Sequence, residues 1–404
     1  MSATPQAPGI PPGTSPEPRA RPRRLAFVIE ALTVGGAERL LVAMANGFAA
    51  RGDEVHVICL AFPGELADEL DARVGRHRLD KRRGIDPRLP WRLRALIRRL
   101  RPDAINSHLW VANFWTRLAL VGTGARVLIT EHSRDTWKPA LHRALDRALV
   151  PFTDTLVAVS ADTADFYRRE IGVPDSLVRV VNNGIDTARY AAGDGRALRT
   201  AWLTDPEAIL VGSVGRLVTA KNHPRLIEAC ALARAQGHPL ALVIVGDGPE
   251  RARIVAEIER HGLGDAVTLA GPRADVPDVL AALDLFALSS DREGHPLAVL
   301  EAQAAGVPVV ATRAGGTAEA LAREGDTVGG VLVDADARAL ADAIGALEAD
   351  RPALARMAAF SRAHAAAHFD TGHMLDAYAR LFDRARERRG SVRRSSGGTR
   401  TDDP

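Results

Sequence analysis

The chain has 404 residues, too many for one ordinary hydrophobic core, so two domains are expected. Its 46% hydrophobic and 25% charged content fits a globular protein, and no run approaches the ~18 consecutive apolar residues of a membrane-spanning helix. With a formal charge of only +3 and 4% aromatics, it lacks base-stacking platforms, and no nucleic-acid partner is expected.

Residues 1–22 are rich in Pro, Ala, Gly and Ser. They lack the basic start and apolar middle of a secretory signal and read as a disordered tail. Short β-branched runs then alternate with longer amphipathic stretches, the pattern of parallel sheets covered by helices. Strands are expected at Leu25–Ile29, Val55–Leu60, Ala104–Ser107, Val127–Thr130, Thr155–Val159 and Val178–Val181. Helices are expected at Ala37–Arg51, Arg88–Arg101, Val111–Val121 and Leu141–Val150. Cys59 and Cys230 lie in apolar runs far apart, which suits buried thiols in a reducing, cytoplasmic compartment.

From Arg73 to Arg101 about a dozen Arg or Lys stand against two Asp. Leu89, Leu93, Leu96, Ile97 and Leu100 recur among them at helical spacing. Arg88–Arg101 therefore reads as a surface helix packed on its own domain, or as one that also makes a peripheral contact with an anionic membrane.

After the turn signal Asn182-Asn183-Gly184, the polar stretch 188–204 reads as a linker. The alternation restarts with strands at Ile209–Val214, Ala241–Val245, Val267–Leu269, Leu285–Leu288 and Val307–Ala311. The expected architecture is α/β, with two Rossmann-like doubly wound domains, 23–187 and 205–368, facing a cleft. Ligands of such sheets sit at the carboxyl ends of the strands. Residues 369–389 carry Met374, Leu375, Tyr378, Leu381 and Phe382 at helical spacing and read as a docked helix, and 390–404 as a second disordered tail.

Four places have residues suited to chemistry. Gly35-Gly36-Ala37-Glu38 opens a helix after the first strand, where paired glycines let backbone approach phosphate or sugar. It is not the G-x-G-x-x-G fingerprint, and no acid stands about twenty residues on, so a nicotinamide cofactor is not favoured. His108 and His132 lie at strand ends in the first half. Arg216 and Lys221 sit in a loop after a strand; such cations neutralise a departing diphosphate, Arg as a fork and Lys as a point charge. Glu293 and Glu301 bracket a Gly294-His295-Pro296 turn leading into a helix. Pro296 suits the first helical position, and the free N–H groups there face a ligand. No His/Cys/Asp cluster has metal-ligand spacing, and Asp334-Ala335-Asp336 reads as a helix cap, so no metal is expected.

The Glu293/Glu301 spacing, followed by the Ala-x-Ala-x-Gly-x-Pro-Val-Val run, resembles the retaining GT-B glycosyltransferases of family four, the "glycosyl transferases group 1" type. Val214-Gly215-Arg216-Leu217…Lys221-Asn222, Gly35-Gly36-Ala37-Glu38, Val245–Pro249, Gly271-Pro272-Arg273 and Asn183–Asp186 match the same family. The resemblance spans roughly Leu25 to Phe382. It implies the GT-B architecture, with the C-terminal helix returning to the first domain, and a nucleoside-diphosphate sugar as co-substrate. It also implies metal-independent transfer to a glycan, lipid-linked or small-molecule acceptor, as in polysaccharide or glycolipid biosynthesis. Glu301 would bind ribose hydroxyls, and Glu293 with the backbone of Gly294, His295, Pro296 and Leu297 the transferred sugar. Arg216 and Lys221 would hold the diphosphate, with Gly246, Gly248 and Arg273 near the base and Gly35 and Gly36 under the phosphates. His132 is the catalytic candidate from the first domain, and Glu38 and His108 lie on the acceptor side. The rivals are a sugar-nucleotide epimerase, or a silent binding subunit, on the same fold.

Overall fold

The computed structural model describes residues 21–395 apart from 124, 126, 137 and 204, so most of both expected tails lies outside the described residues. The chain divides into two compact units, Met1–Asn182 with Gly372–Pro404, and Asn183–Thr371.

In the first unit β1 (Arg24–Ile29), β2 (Glu54–Cys59), β3 (Gly75–Arg78), β4 (Ala104–His108), β5 (Val127–Glu131), β6 (Thr153–Ala158) and β7 (Val178–Val180) form one sheet of order β3-β2-β1-β4-β5-β6-β7. Every pairing is parallel, for example Phe27↔Val57 and Phe27↔Asn106. Between the strands run α1 (Gly36–Ala50), α2 (Leu89–Leu100), α3 (Leu109–Leu120), α4 (Ala140–Leu149) and α5 (Ala161–Phe166). Central strands are buried along almost their whole length, as parallel strands covered on both faces must be. The expected strands are all present. β3 was not anticipated, because its Gly-Arg-His-Arg carries no apolar signal; at the sheet edge it needs none.

In the second unit β8 (Ile209–Val214), β9 (Leu240–Val245), β10 (Val267–Gly271), β11 (Leu285–Leu288) and β12 (Val309–Thr312) are followed by a small hairpin, β13 (Arg323–Glu324) and β14 (Thr327–Val328), and by β15 (Gly330–Val333). The sheet is parallel, of order β10-β9-β8-β11-β12-β15. Its helices are α6 (Thr187–Ala191), α7 (Arg196–Trp202), α8 (His223–Ala235), α9 (Arg251–Arg260), α10 (Val276–Ala281), α11 (Leu297–Ala304), α12 (Thr317–Ala320), α13 (Ala337–Ala349) and α14 (Arg351–His368). Two apolar clusters form its core, one with Leu226, Cys230 and Ile244, the other with Phe286, Leu300 and Val309.

The expected linker 188–204 is corrected by α6 and α7. Tyr190, Leu198, Trp202 and Leu203 pack on the second cluster, and Arg199 pairs with Asp284 at 2.9 Å. A Cβ on Gly195 would stand 2.1 Å from the Ala282 amide nitrogen, so the stretch is pressed against α10.

The last helix, α15 (Thr371–Ser395), belongs to the first unit, as expected for the C-terminal segment. Met374, Leu375, Tyr378, Leu381 and Phe382 are all buried. Phe382 meets Phe48 with centroids 5.3 Å apart, Tyr378 Oη lies 3.2 Å from Thr130 Oγ1, and buried Arg23 donates to the Ala379 carbonyl. The helix continues through 390–395, which corrects the start of the expected tail.

Candidate active site

The candidate residues divide between the units. In the second, Gly246 after β9 meets the end of β8 backbone to backbone. It takes φ +139°, and a Cβ there would stand 1.9 Å from the Gly215 carbonyl oxygen. Gly248 is similarly tight against the Leu217 carbonyl, and the Leu217 N–H donates to Asp247 O at 2.9 Å. This close approach fixes the loop on which Arg216 stands exposed.

Beyond it a short turn, Thr219–Lys221, ends at Asn222 in the left-handed region (φ +45°), whose side chain caps α8 by accepting from the Arg225 N–H. The loop after β11 is fastened to this turn. Ser289 Oγ donates to the carbonyls of Lys221 and Asn222, each at 3.0 Å, and Arg225 pairs with Asp291 at 2.6 Å. As a result Lys221 Nζ stands 2.6 Å from Glu293 Oε1, and the same oxygen accepts from Ser290 Oγ at 2.5 Å. The ammonium and the carboxylate, far apart in sequence, form one charge-assisted group at the carboxyl ends of β8 and β11.

Gly294-His295-Pro296 then turns the chain into α11. Pro296 is the cap (ψ 113°) and Leu297 the first helical residue, one position later than expected. The His295 carbonyl accepts from Asn183 Nδ2 at 2.8 Å, and burial pulls its imidazole down to about 4, leaving the ring neutral. Glu301, inside α11, accepts from Tyr190 Oη at 2.8 Å. Arg273 at the end of β10 pairs with Asp275 and lies over the Trp202 ring, 5.6 Å from its centroid. Asp336 caps α13 by accepting from the Ala339 N–H, as read from the sequence.

Ser290 and Tyr190 were missed. Ser290 sits in a Ser-Ser-Asp loop with no motif of its own. Tyr190 lay in the supposed linker, where Asp186 was the available signal: it caps α6 by accepting from the Arg189 N–H at 3.0 Å.

In the first unit Gly35 caps α1 in extended conformation, and a Cβ on it would meet Glu38 Oε2 at 2.4 Å, so the Glu38 carboxylate folds back over the glycine pair. His108 is fully buried at the end of β4, and its Nδ1 lies 3.0 Å from Nε2 of half-buried His132. Burial depresses both imidazoles, His132 to about 4, so one neutral ring donates to the other. Leu109, next to His108, takes φ +67°, a strained conformation for leucine at the β4–α3 junction. Glu131, beside His132 in sequence, points the opposite way on β5 and accepts from Asn113 Nδ2 at 2.8 Å in the interior.

Known proteins match this chain along most of its length. Residues 34–189 match the model of Glycosyltransferase Family 4, and residues 195–364 that of Glycosyl transferases group 1. A D-inositol 3-phosphate glycosyltransferase of Rhodococcus erythropolis is 31% identical, over 88% of this chain and 90% of its own. The protein of the same name from Stackebrandtia nassauensis is 32% identical over 74% and 72%. Among solved structures, Anabaena HepE in complex with UDP-glucose aligns with a TM-score of 0.76 and 25% identity, covering 89% of this chain and 99% of that one. With two parallel Rossmann-like sheets and these matches to both halves, the chain belongs to the GT-B glycosyltransferases of the family 4, group 1 type.

Proposed function

We propose that this glycosyltransferase moves a hexose from a nucleoside-diphosphate sugar to an acceptor hydroxyl with retention of configuration and without a metal. The observation that carries the reading is the Lys221–Glu293–Ser290 group at the strand ends of the second unit. Lys221 and exposed Arg216 supply fixed positive charge for a departing diphosphate, and Glu293 an acceptor for hexose hydroxyls. Glu301, oriented by Tyr190, supplies a carboxylate for the ribose. In the reaction the anomeric C–O bond to phosphate breaks and a bond to the acceptor oxygen forms on the same face, the acceptor proton passing to the departing phosphate oxygen. No carboxylate nucleophile is invoked, because Glu131 is turned into the interior away from His132. His132, neutral and hydrogen-bonded to His108, is kept as a hydrogen-bonding group of the first unit rather than as a cation.

UDP-hexoses are the first donors to assay, because HepE was solved with UDP-glucose, and inositol phosphates join lipid-linked saccharides as acceptors because of the relatives' names. Two free, buried cysteines, Cys59 and Cys230, accord with a reducing cytoplasmic setting. Thermal shift against UDP, GDP, ADP and TDP, with and without chelator, identifies the base, since a ligand of the folded state raises its melting temperature. We expect stabilisation by one diphosphate that survives chelation, and a product with the donor's anomeric configuration by NMR. An inverted product would overturn retention, and loss of the shift with chelator would overturn metal independence.

The same titration checks the ribose contact. Tyr190→Phe should weaken nucleotide affinity roughly fivefold, the value of one hydrogen bond, and Glu301→Gln roughly tenfold or more. Unchanged affinity in both would remove these residues from the donor site.

A further inference from the structure

We propose that the rim of the first unit formed by loops 30–35, 61–64 and 79–88 and the start of α2 docks on an anionic lipid bilayer. Phe62, Ile85 and Trp91 enter the headgroup boundary while Arg82, Arg83 and Arg88 pair with lipid phosphates.

The structure changes how the arginine-rich segment must be read. The apolar stripe of α2, with Leu89, Leu93, Leu96 and Ile97, is buried in its own unit, so the helix has no free apolar face to lay on a membrane. Its ends are about 18 Å apart, which leaves Arg98, Arg99 and Arg101 far from the β3-side rim. What protrudes is the rim itself. β3, β2 and β1 are neighbours at one edge of a parallel sheet, so the loops leaving them emerge at the same end. These loops are tied together: Leu32 N–H donates to Pro63 O at 2.9 Å and Lys81 N–H to Leu60 O at 2.8 Å.

This rim holds most of the large apolar side chains exposed among the described residues: Val34 at 49%, Phe62 at 52%, Ile85 at 85% and Trp91 at 68%. Exposed apolar groups so concentrated mark an interaction surface, and tryptophan favours the bilayer interface. The charge around them selects the partner. Arg82, Arg83 and Arg88 are exposed, whereas Asp86 is buried against Arg92, Glu30 pairs with Lys81 and Asp80 with Arg78; the exposed acids beside the rim are Glu65 and, further along the same turn, Asp68 and Glu69, which stand 3.9 and 3.7 Å from Arg76 and Arg39. Apolar tips standing in a cationic field fit anionic lipid, where each basic residue near the surface multiplies partitioning roughly fivefold.

The test is flotation of the full chain with vesicles of phosphatidylcholine, alone or mixed with phosphatidylglycerol. Binding is expected only to the mixed vesicles. Arg82→Ala/Arg83→Ala/Arg88→Ala should lower the partition coefficient roughly a hundredfold. Phe62→Ala/Trp91→Ala should lower it roughly tenfold with an unchanged salt dependence, because apolar insertion is not screened. Melting curves identify any variant that fails to fold, and Ile85→Ser, in an exposed loop, gives an independent reading of the apolar contribution. Equal binding to neutral vesicles, or arginine variants that bind like the wild type, would overturn the proposal. So would apolar variants that bind lipid normally while arginine removal weakens heparin binding equally, which would mark a general polyanion surface.

Discussion

Lys221→Ala should lower turnover by on the order of a hundredfold or more, equivalent to about 2.7 kcal/mol of transition-state stabilisation. Two roles account for the 2.6 Å contact between Lys221 Nζ and Glu293 Oε1. The ammonium either orients Glu293 towards the sugar, or it shifts onto the diphosphate once donor binds. A double-mutant cycle separates them. If Lys221 works only through Glu293, then Lys221→Ala adds nothing in a Glu293→Gln background. If it stabilises the leaving group directly, the two losses multiply. The second outcome is expected, because Arg216 is too exposed, and so too strongly screened, to neutralise a diphosphate alone. Arg216→Ala should cost a similar factor without changing the melting temperature. Glu293→Gln should reduce turnover more than nucleotide affinity, since its carboxylate faces the sugar in this reading. Near-normal turnover in both the Arg216 and Lys221 variants would defeat the assignment.

The sequence and the fold agree where physical signals are strong. Buried parallel strands such as β9 and β11 are short continuous apolar runs bounded by turn residues, and that length and boundary place β11 to the residue. The docked helix was legible because Met374, Leu375, Tyr378, Leu381 and Phe382 form one stripe. Edge strands are another matter: β3 is polar and β15 half-buried, and neither needs the pattern that betrays an interior strand. The supposed linker was misread because its buried residues, Tyr190, Leu198 and Trp202, are diluted among Gly, Asp and Arg. In the site, the two glutamates and two cations were visible as motifs. What orients them was not, because Ser290, Ser289 and Tyr190 act through contacts with residues 3, 68 and 111 positions away. The His108–His132 contact is equally invisible in a linear reading, since it depends on β4 and β5 lying side by side.

That same region of the first unit carries a buried ionic cage whose removal has the largest expected effect on stability. Arg117 pairs with Asp146 at 2.6 Å, both nearly inaccessible, and Lys138 stands between Asp135 (2.5 Å) and Asp146 (3.4 Å). Arg117→Leu leaves Asp146 buried beside a single cation, which should cost about 3–5 kcal/mol. At roughly 2–4 °C per kcal/mol for a unit of this size, the melting temperature falls by about 10 °C. Glu131 adds the pH dependence. Two cations already balance Asp135 and Asp146, so an ionised Glu131 would leave the cage net negative. Burial raises its carboxyl to about 7, Lys138 opposing and Asp135 and Asp146 reinforcing the shift. A carboxyl whose folded value lies above its unfolded value near 4.5 holds its proton more tightly in the folded chain. Its contribution to stability is therefore full below about 4.5 and is lost as pH rises through about 7. Glu131→Gln is neutral at every pH and keeps an oxygen for Asn113. The variant should match the wild type near pH 5 and exceed it by about 2–3 kcal/mol well above neutrality. Denaturant melts across that range check it: a difference that does not change with pH would mean that Glu131 is already ionised within the cage.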